Sequence, residues 1–391
     1  MLNTSLSPWP SFTQEEADAV SRVLLSNKVN YWTGQECREF EKEFAAFAGT
    51  EYAVALANGT LALDVALKAM NIGAGDDVIV TSRTFLASAS AIVTAGANPV
   101  FADVDLNSQN ISADTIQTAL TPATKAIIVV HLAGMPAEMD AIMALAEKHK
   151  LWVIEDCAQA HGARYKGRPV GSIGHVGAWS FCQDKIMTTG GEGGMVTTNS
   201  KDLWLKMWAY KDHGKSYDAV YHREHAPGFR WLHESFGTNW RMMEMQAVIG
   251  RIQLKRMPDW TAKRQANAAK LAQSLGKFAC IRLVDVPDYI EHAQYKFYAF
   301  VNPGRLKTGW TRDRIVDELN ALKVPCYQGS CSEVYLEKAF DNTPWRPQQR
   351  LKNAVELGDT SLMFLVHPTL TEAEIAFCCQ HIETVLTQAC A

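Results

Sequence analysis

The sequence predicts an α/β protein whose large first domain contains a mostly parallel central sheet flanked by helices, followed by a smaller α+β domain. Two observations support this fold class. In the first half of the chain, short apolar runs alternate with segments of helical periodicity, which is typical of a parallel sheet covered on both faces. Later, the pattern changes to longer polar helices with fewer strands. We therefore expect a large domain over residues 1–255, with helices at its N-terminus, and a small domain over residues 256–391.

The first domain begins with a helix and continues into strands. Thr13 stands three residues before Glu16, a spacing typical of a capping box at the start of a helix. Strand-length apolar runs follow, namely EYAVAL (51–56), DVIVT (77–81), PVFADV (99–104), KAIIVV (125–130) and LWVIED (151–156). Because ligands bind outside the carboxyl ends of parallel strands, we expect the functional site at that edge of the sheet.

The second domain combines helices with a few strands. Helices are predicted in DWTAKRQANAAKLAQSLG and TRDRIVDELNALK, and strands in IRLVDV and QYKFYAFVN. Ahead of it, residues 211–240 have little periodicity and many His, Gly and aromatic residues. A stretch of this length and composition indicates a long functional loop rather than a linker.

Charge and hydropathy exclude several classes of partner. The net charge is −4, the isoelectric point is about 6.3, and Lys and Arg are scattered along the chain. This distribution lacks the basic patch of a nucleic-acid-binding or membrane-surface protein. The start MLNTSLSPWPSFTQEE has no basic and apolar regions of a signal peptide, and no apolar run has the length of a membrane span. We expect a cytoplasmic protein that binds small molecules.

The chain contains nine cysteines, with no CxxC pair and no grouping with histidines at zinc-finger spacing. Free cysteine is one of the residue types most often buried. The sequence therefore predicts that these cysteines are reduced packing residues and that the protein contains no metal site.

One lysine lies in an unusual context. Lys185 occurs in WSFCQDKIMTTGGEGGM, between an apolar run and a loop with four glycines. Earlier, Asp156 ends the apolar run LWVIED, which places its carboxylate at the carboxyl edge of the sheet. Taken alone, Asp156 is also compatible with a helix cap or a structural ion pair.

A third feature is the turn in ALANGTLALDVALKAM, where a strand ends and a helix begins near Gly59. Backbone N–H groups at such a turn can bind an anion such as phosphate, although an ordinary Asn-Gly turn is the alternative. Neither GSIGHVG nor GGEGG has the context of a dinucleotide fingerprint, which disfavours a nicotinamide enzyme. A lysine for a Schiff base, an acid for a pyridine nitrogen and a phosphate site are the contacts that pyridoxal phosphate requires.

With these features in place, the chain resembles the DegT/StrS family of sugar aminotransferases, which has the pyridoxal-phosphate-dependent transferase fold of type I. The resemblance extends from about Pro8 to the final helix. It is carried by ordered blocks, namely GQECREFEKEFAAFAG, ANGTLALDVAL, TFLASASAIVTAGANPVFADVD, VVHLAGMPAEMDAI, IEDCAQAHGARYKG, SFCQDKIMTTGGEGGMVTT and GTNWRMMEMQAVIGRIQLKR.

The resemblance also implies a role for individual residues. Lys185 would form the Schiff base with the cofactor, and Asp156 would pair with its pyridine nitrogen. Phe85 would stack on the ring and Gln159 would touch its phenolic oxygen. Without the resemblance, these two would be interpreted as a core residue and a polar loop residue. Phosphate contacts would come from Gly59, Thr60 and Ser180, and from Asn239 of a neighbouring subunit in a homodimer with shared sites.

The function that follows is transfer of an amino group, with L-glutamate as the expected donor, onto a keto or aldehyde sugar for surface polysaccharide or lipopolysaccharide. The leading acceptor is a keto nucleotide sugar, and a free oxidised sugar acid is the alternative. A pyridoxal-phosphate-dependent sugar dehydratase and a silent regulator on the same fold also remain. A related branch replaces the lysine with histidine, so Lys185 favours transamination.

Two departures from the family pattern bear on the substrate. TTGGEGG carries one glycine more than the usual family sequence after the lysine. FCQD before the lysine lacks the proline common in enzymes that act on 4-keto nucleotide sugars. A candidate for substrate recognition is Arg230, between two aromatic residues in YHREHAPGFRWLH. Its planar guanidinium suits a diphosphate or a sugar carboxylate, and a solvated loop or subunit contact is the alternative.

Overall fold

The computed structural model describes residues 6–391. The first five residues of the N-terminal segment MLNTSLSPWPSFTQEE, in which the sequence shows no signal peptide, lie outside this range. The helices are α1 Gln14–Leu25, α2 Glu36–Ala48, α3 Gly59–Ala69, α4 Ala87–Thr94, α5 Ala113–Ala119, α6 Met139–His149, α7 Lys201–Tyr210, α8 Tyr217–Tyr221, α9 Glu244–Leu275, α10 Arg312–Ala321, α11 Lys352–Thr360 and α12 Glu372–Ala389. The strands are β1 Tyr52–Leu56, β2 Asp77–Thr81, β3 Asn98–Ala102, β4 Thr124–Val130, β5 Trp152–Asp156, β6 Arg164–Tyr165, β7 Arg168–Pro169, β8 Val176–Ser180, β9 Gly194–Thr198, β10 Ile281–Leu283, β11 Ile290–Glu291, β12 Phe297–Val301, β13 Cys326–Tyr327 and β14 Ser361–Phe364.

The central sheet has seven strands in the order β1-β9-β8-β5-β4-β2-β3. Strand β9 is antiparallel to both of its neighbours, and every other neighbouring pair is parallel. The sequence-based prediction of an α/β fold with a mostly parallel sheet is confirmed. The apolar runs assigned to strands correspond to β1 through β5, with ends that differ by at most a residue or two.

Both faces of this sheet are buried, which explains why its strands are continuously apolar. Alternate residues of β2 point in opposite directions. Val78 and Val80 belong to a core cluster formed with α3, α4 and α7, whereas Ile79 belongs to a second cluster formed with α5 and α6. The sheet is therefore a layer between two sets of helices, and its carboxyl edge is left for a site.

The small domain contains an antiparallel sheet in the order β10-β12-β14-β13, covered by α10, α12 and the second half of α9. Helix α9 crosses the expected boundary at residue 255 without interruption. Its first half packs with α2 through Ala247, and its second half packs in the small-domain core through Leu271. The proposed boundary therefore falls inside a helix, and the division at that residue remains a prediction.

The N-terminal helix and the long loop agree with their sequence patterns. The capping box of α1 is present, with the Glu16 carboxylate accepting a hydrogen bond from the Thr13 backbone N–H. Residues 211–240 contain only the short helix α8, and the two ends of this segment are joined by a bridge between Asp212 and Asn239. Within residues 6–391, no helix combines the length and apolar character needed to span a bilayer.

The cysteine prediction needs a correction. Cys280 and Cys390 form a disulfide with a Cα–Cα distance of 5.6 Å. The last residues return beside β10, with Cys390 bridged to Leu306, so two cysteines that are 110 residues apart in sequence become neighbours. Of the remaining free thiols, Cys331 is exposed and the others are buried or half-buried.

Candidate active site

A cavity of about 600 Å³ lies at the carboxyl edge of the central sheet. Its position is the one that parallel sheets offer to ligands, because strand ends and the following loops converge there. All the cofactor residues predicted within one chain line it, namely Gly59, Thr60, Phe85, Asp156, Gln159, Ser180 and Lys185. The structure thus brings together residues from four segments, at the carboxyl ends of β1, β2, β5 and β8, and their individual roles remain predictions.

Lys185 follows β8 in a turn that holds its backbone in place. Its N–H donates to the Cys182 carbonyl at 3.1 Å, and its own carbonyl accepts from the Trp9 indole at 2.9 Å. The side chain is only 18% exposed, and Nζ lies 3.6 Å from Asp184 Oδ1 and 5.3 Å from the centre of the Tyr295 ring. The backbone is fixed while the amine end of the side chain faces the cavity.

Asp156 ends β5 and is oriented by two donors. The Ser88 hydroxyl donates to Oδ2 at 2.8 Å, and the Ala158 N–H donates to Oδ1 at 3.1 Å. Thr84 and Ser88 hydroxyls are in turn 2.9 Å apart. Burial raises the pKa of Asp156, with both hydrogen bonds and the charge of Lys185 opposing the rise. A buried carboxylate with no ion-pair partner within 4 Å in the described chain fits the protonated nitrogen of a pyridine ring.

This pKa direction leads to a stability prediction. Because the folded pKa of Asp156 is raised, its contribution to stability is present below the unfolded pKa of about 3.9 and is lost as pH rises through the folded value. Asp156→Asn should therefore raise the melting temperature of the cofactor-free protein near pH 7 by a few degrees, with little difference at low pH. The same variant should weaken cofactor binding roughly tenfold to a hundredfold, the cost of losing a charged partner.

The measurement is thermal unfolding of both cofactor-free proteins across pH, paired with cofactor titration. Asn can keep the local contacts, since its oxygen accepts from Ala158 and its amide can donate to Ser88. A variant that is less stable at every pH would contradict the assignment of Asp156 as a buried, unpaired charge.

The predicted phosphate site is the start of α3. Asn58 caps this helix by accepting from the Leu61 N–H at 3.0 Å, and Gly59 and Thr60 occupy the first turn, where N–H groups have no partner within the helix. A Cβ on Gly59 would overlap the side chain of Ser180. The absence of a side chain at this position therefore lets α3 approach β8 and brings Ser180 to the same end of the cavity.

Phe85 and Gln159 both line this cavity. Phe85 is 71% exposed, so the alternative interpretation as a core residue was wrong. Gln159 is buried, and its Oε1 accepts from the Ala133 N–H at 2.8 Å. Its amide nitrogen has no hydrogen-bond partner in the described chain and is available to a ligand oxygen. An exposed ring and a fixed amide donor in one cavity fit the face and the phenolic oxygen of a pyridoxal ring.

Asn239 and Arg230 lie outside this cavity. Both are exposed, and Arg230 forms no hydrogen bond or ion pair within residues 6–391. Around Arg230 the loop exposes three large apolar side chains, those of Phe229, Trp231 and Phe236. Neither residue lines the cavity of its own chain, and the role of Asn239 in a neighbouring subunit and the role of Arg230 both remain predictions.

Several site residues were missed from the sequence. Ser88 donates a hydrogen bond to Asp156 and is itself hydrogen-bonded with Thr84, and Tyr295 donates a hydrogen bond to Asp184 beside Lys185. A signal existed for Asp184, which directly precedes the lysine. Ser88 could have been identified because TFLASAS follows a strand end. Tyr295 comes from the small domain, and no local sequence pattern predicts its contact with Asp184.

A buried group of His131, Glu155 and Cys157 has side-chain atoms close enough to hold a metal ion. The Glu155 carboxylate is already occupied, since it accepts from His131 Nε2 at 3.0 Å and from the N–H groups of Gly171, Ile173 and Gly174. His131 Nδ1 accepts from the Ala137 N–H, which makes Nε2 the donor to Glu155. The hydrogen bonds alone explain this group as a structural network.

The fold and the cavity together define an enzyme of the pyridoxal-phosphate class. The family model of the DegT/DnrJ/EryC1/StrS aminotransferase family matches residues 10–383, and the chain belongs to this family. It is a pyridoxal-phosphate-dependent aminotransferase, as its resemblance to the family predicted.

Individual relatives cover almost the whole chain. A GDP-perosamine synthase of Caulobacter vibrioides is 37% identical over 94% of both chains. A spore coat polysaccharide biosynthesis protein of Bacillus subtilis is 39% identical over 79% of this chain and 78% of its own. Among solved structures, an aminotransferase from Psychrobacter cryohalolentis is 66% identical, with a TM-score of 0.97 over 98% of this chain and 99% of that one.

Proposed function

We propose that this aminotransferase transfers the amino group of L-glutamate to a carbonyl carbon of a keto nucleotide sugar used for surface polysaccharide. The observation that carries the proposal is the presence of Lys185 and Asp156 in one cavity at the carboxyl edge of the sheet. The relatives support the substrate class, because one is a synthase of a GDP-linked amino sugar and another acts in polysaccharide biosynthesis. We place the reaction in the cytoplasm, the compartment that the sequence predicts.

When bound, pyridoxal phosphate supplies an electron sink that acidifies the C–H bond beside the transferred nitrogen. Asp156 would keep the ring nitrogen protonated by charge pairing, and Ser88 fixes the direction of that carboxylate. The Lys185 amine would take a proton at Nζ and return it to a neighbouring carbon of the substrate or cofactor. A long side chain on a backbone held by two hydrogen bonds suits both taking and returning the proton.

The active form is proposed to be a homodimer with shared sites. Trp231 is 81% exposed and Phe236 is 98% exposed, although both are large apolar residues in the loop that precedes Asn239. Apolar groups concentrated in one exposed segment mark an interaction surface. A second copy that covers this loop would bring its Asn239 toward the phosphate end of the cavity.

Arg230 offers a prediction about the sugar. If the loop reaches a neighbouring site, Arg230→Ala should raise the KM for the sugar about tenfold or more, the loss expected for a charged hydrogen bond. The glutamate half-reaction should change little. Arg223→Ala is a matched control from the same loop, because Arg223 is already paired with Glu234 at 2.8 Å. Equal damage to both half-reactions would place Arg230 at the donor or in the scaffold instead.

The function itself is tested by incubating the cofactor-loaded protein with L-glutamate and candidate acceptors. We expect one 2-oxoglutarate per amino sugar formed, with a keto nucleotide sugar preferred over a free keto sugar acid. A dehydratase would consume the sugar without releasing 2-oxoglutarate, and a regulator would consume neither compound. Preference for the free sugar acid would retain the transaminase and overturn the nucleotide-linked substrate.

A further inference from the structure

A second cavity, of about 470 Å³, adjoins the first and shares Asp184 with it. We call it the lysine cavity. Its walls come from the N-terminal segment, the loop around Lys185 and the small domain, and include Trp9, Asp184, Gly190, Gly191, Lys296 and His367. The first two glycines of the TTGGEGG run line this second cavity, and their φ angles are +87° at Gly190 and +124° at Gly191.

The lysine cavity is lined and backed by cations. Lys296 is half-buried, lies with Nζ 4.7 Å from the centre of the Tyr295 ring, and forms no hydrogen bond or ion pair with any described residue. Behind it, Arg264 is 1% exposed and packs over Trp9 at 5.0 Å. Its Nη1 donates to the Gln294 and Tyr295 carbonyls, whereas Nε and Nη2 are buried without partners.

The acidic side chains near these cations already have hydrogen-bond partners. Asp184 accepts from the Tyr295 hydroxyl and lies near Lys185. Glu374, on α12, accepts hydrogen bonds from Ser7 and Thr371. Two buried or half-buried cations therefore have no acid of their own. Such an excess of positive charge is costly unless an anion enters.

The titration behaviour of the groups agrees with this excess. Burial lowers the pKa of Lys296 to about 8, with Arg264 and Lys185 lowering it further and Asp184 opposing them. Burial also lowers the pKa of Arg264 to about 9. The pKa of His367 falls to about 3 through burial and the charges of Arg264 and Lys296, so this ring is neutral and can accept or donate a hydrogen bond.

We propose that Lys296, backed by Arg264, binds a carboxylate of the substrate whose reacting end lies at Lys185. This inference rests on the proposed function. Lys185 and Lys296 contact the same Tyr295 ring at 5.3 Å and 4.7 Å, so their nitrogens lie at most about 10 Å apart. An extended glutamate spans about 6 Å from its amine to its far carboxylate, and an ammonium–carboxylate contact adds about 3 Å. An amino dicarboxylate therefore fits between the two positions.

A carboxylate could come from the glutamate donor or from an acidic sugar. The test uses Lys296→Met, which keeps the length of the side chain without its charge, and Lys296→Arg, which keeps the charge. Dissociation constants of the cofactor-loaded proteins are measured for 2-oxoglutarate and for the pair UDP-glucuronate and UDP-glucose, which differ by a carboxylate.

If the donor is the source, the Met variant should bind 2-oxoglutarate about tenfold or more weakly, and the Arg variant should retain most of the affinity. If the sugar is the source, the Met variant should lose any preference for UDP-glucuronate over UDP-glucose. Unchanged affinity for all three probes overturns the inference, as does equal weakening by Met and Arg, which would assign Lys296 a packing role.

A measurement on the unsubstituted protein covers the case in which a variant does not fold. At pH 8 a lysine with a pKa of about 8 is half neutral and reacts with N-acetoxysuccinimide, whereas ordinary lysines stay protonated. Saturating 2-oxoglutarate or UDP-glucuronate should slow acetylation of Lys296 several-fold, and acetylation unaffected by both would contradict the inference. Amino transfer from glutamate by the wild type is measured first, so that failure of the proposed function is distinguished from failure at Lys296.

Discussion

Replacing Lys185 with Ala should reduce aminotransferase turnover by on the order of 10⁴-fold or more, because the covalent attachment and the proton-transferring amine are lost together. The cofactor should still bind, since Asp156, Gln159 and Ser180 remain in the cavity. Removal of the side chain leaves the backbone contacts of this turn intact, so the fold should persist. The measurement is single-turnover kinetics with glutamate, followed by the absorbance of the cofactor.

A small amine provides the matched control for this variant. Added methylamine can enter the space left by the side chain and should restore part of the proton transfer in Lys185→Ala. It should have no such effect on Asp156→Asn, whose defect lies at the ring nitrogen. Turnover of Lys185→Ala within tenfold of wild type would show that another group performs the chemistry.

Mixing two inactive chains should restore activity if the sites are shared. A Lys185→Ala chain retains Asn239, and an Asn239→Ala chain retains Lys185, so a mixed dimer contains one complete site and one site that lacks both residues. With random exchange, half of the dimers are mixed, and about a quarter of the wild-type site number should return. Asn239 is exposed and outside the cavity of its own chain, which is the reason to expect this result.

The control is a double variant that carries both substitutions on one chain, mixed with wild type. Its mixed dimers contain two half-complete sites, so this mixture should not exceed the activity of the wild-type dimers that remain. Complementation must be measured after exchange is verified by mass or by a tag. No recovery despite verified exchange, or an Asn239→Ala protein with full activity, would show that each chain completes its own site.

Much of the fold could be predicted from local pattern. The runs that became β1 through β5 are apolar because both faces of the sheet are covered, and that signal is contained within each run. Asp156 and Gly59 were placed in one site because the carboxyl ends of parallel strands converge. The glycine-rich loop after β8 indicated Lys185 as a candidate, and the family resemblance supported its assignment as the Schiff-base lysine.

The remaining features depend on contacts between distant segments. The Cys280–Cys390 disulfide joins residues 110 positions apart, and a cysteine count alone cannot identify a pair. Phe85 is exposed at a cavity, whereas the usual preference of phenylalanine for the core predicts burial. The charge excess around Lys296 arises where α9, β12 and the N-terminal segment meet, and none of these segments shows it alone.

The central claim is that Lys185 carries the cofactor. Borohydride reduction of the cofactor-loaded protein, followed by peptide mass spectrometry, tests it directly. We expect one pyridoxyl group per chain, on the peptide that contains Lys185, while Lys296 remains unmodified. A pyridoxyl group on Lys296 or any other lysine, or none in a protein that transfers the amino group, would contradict the assignment of Lys185.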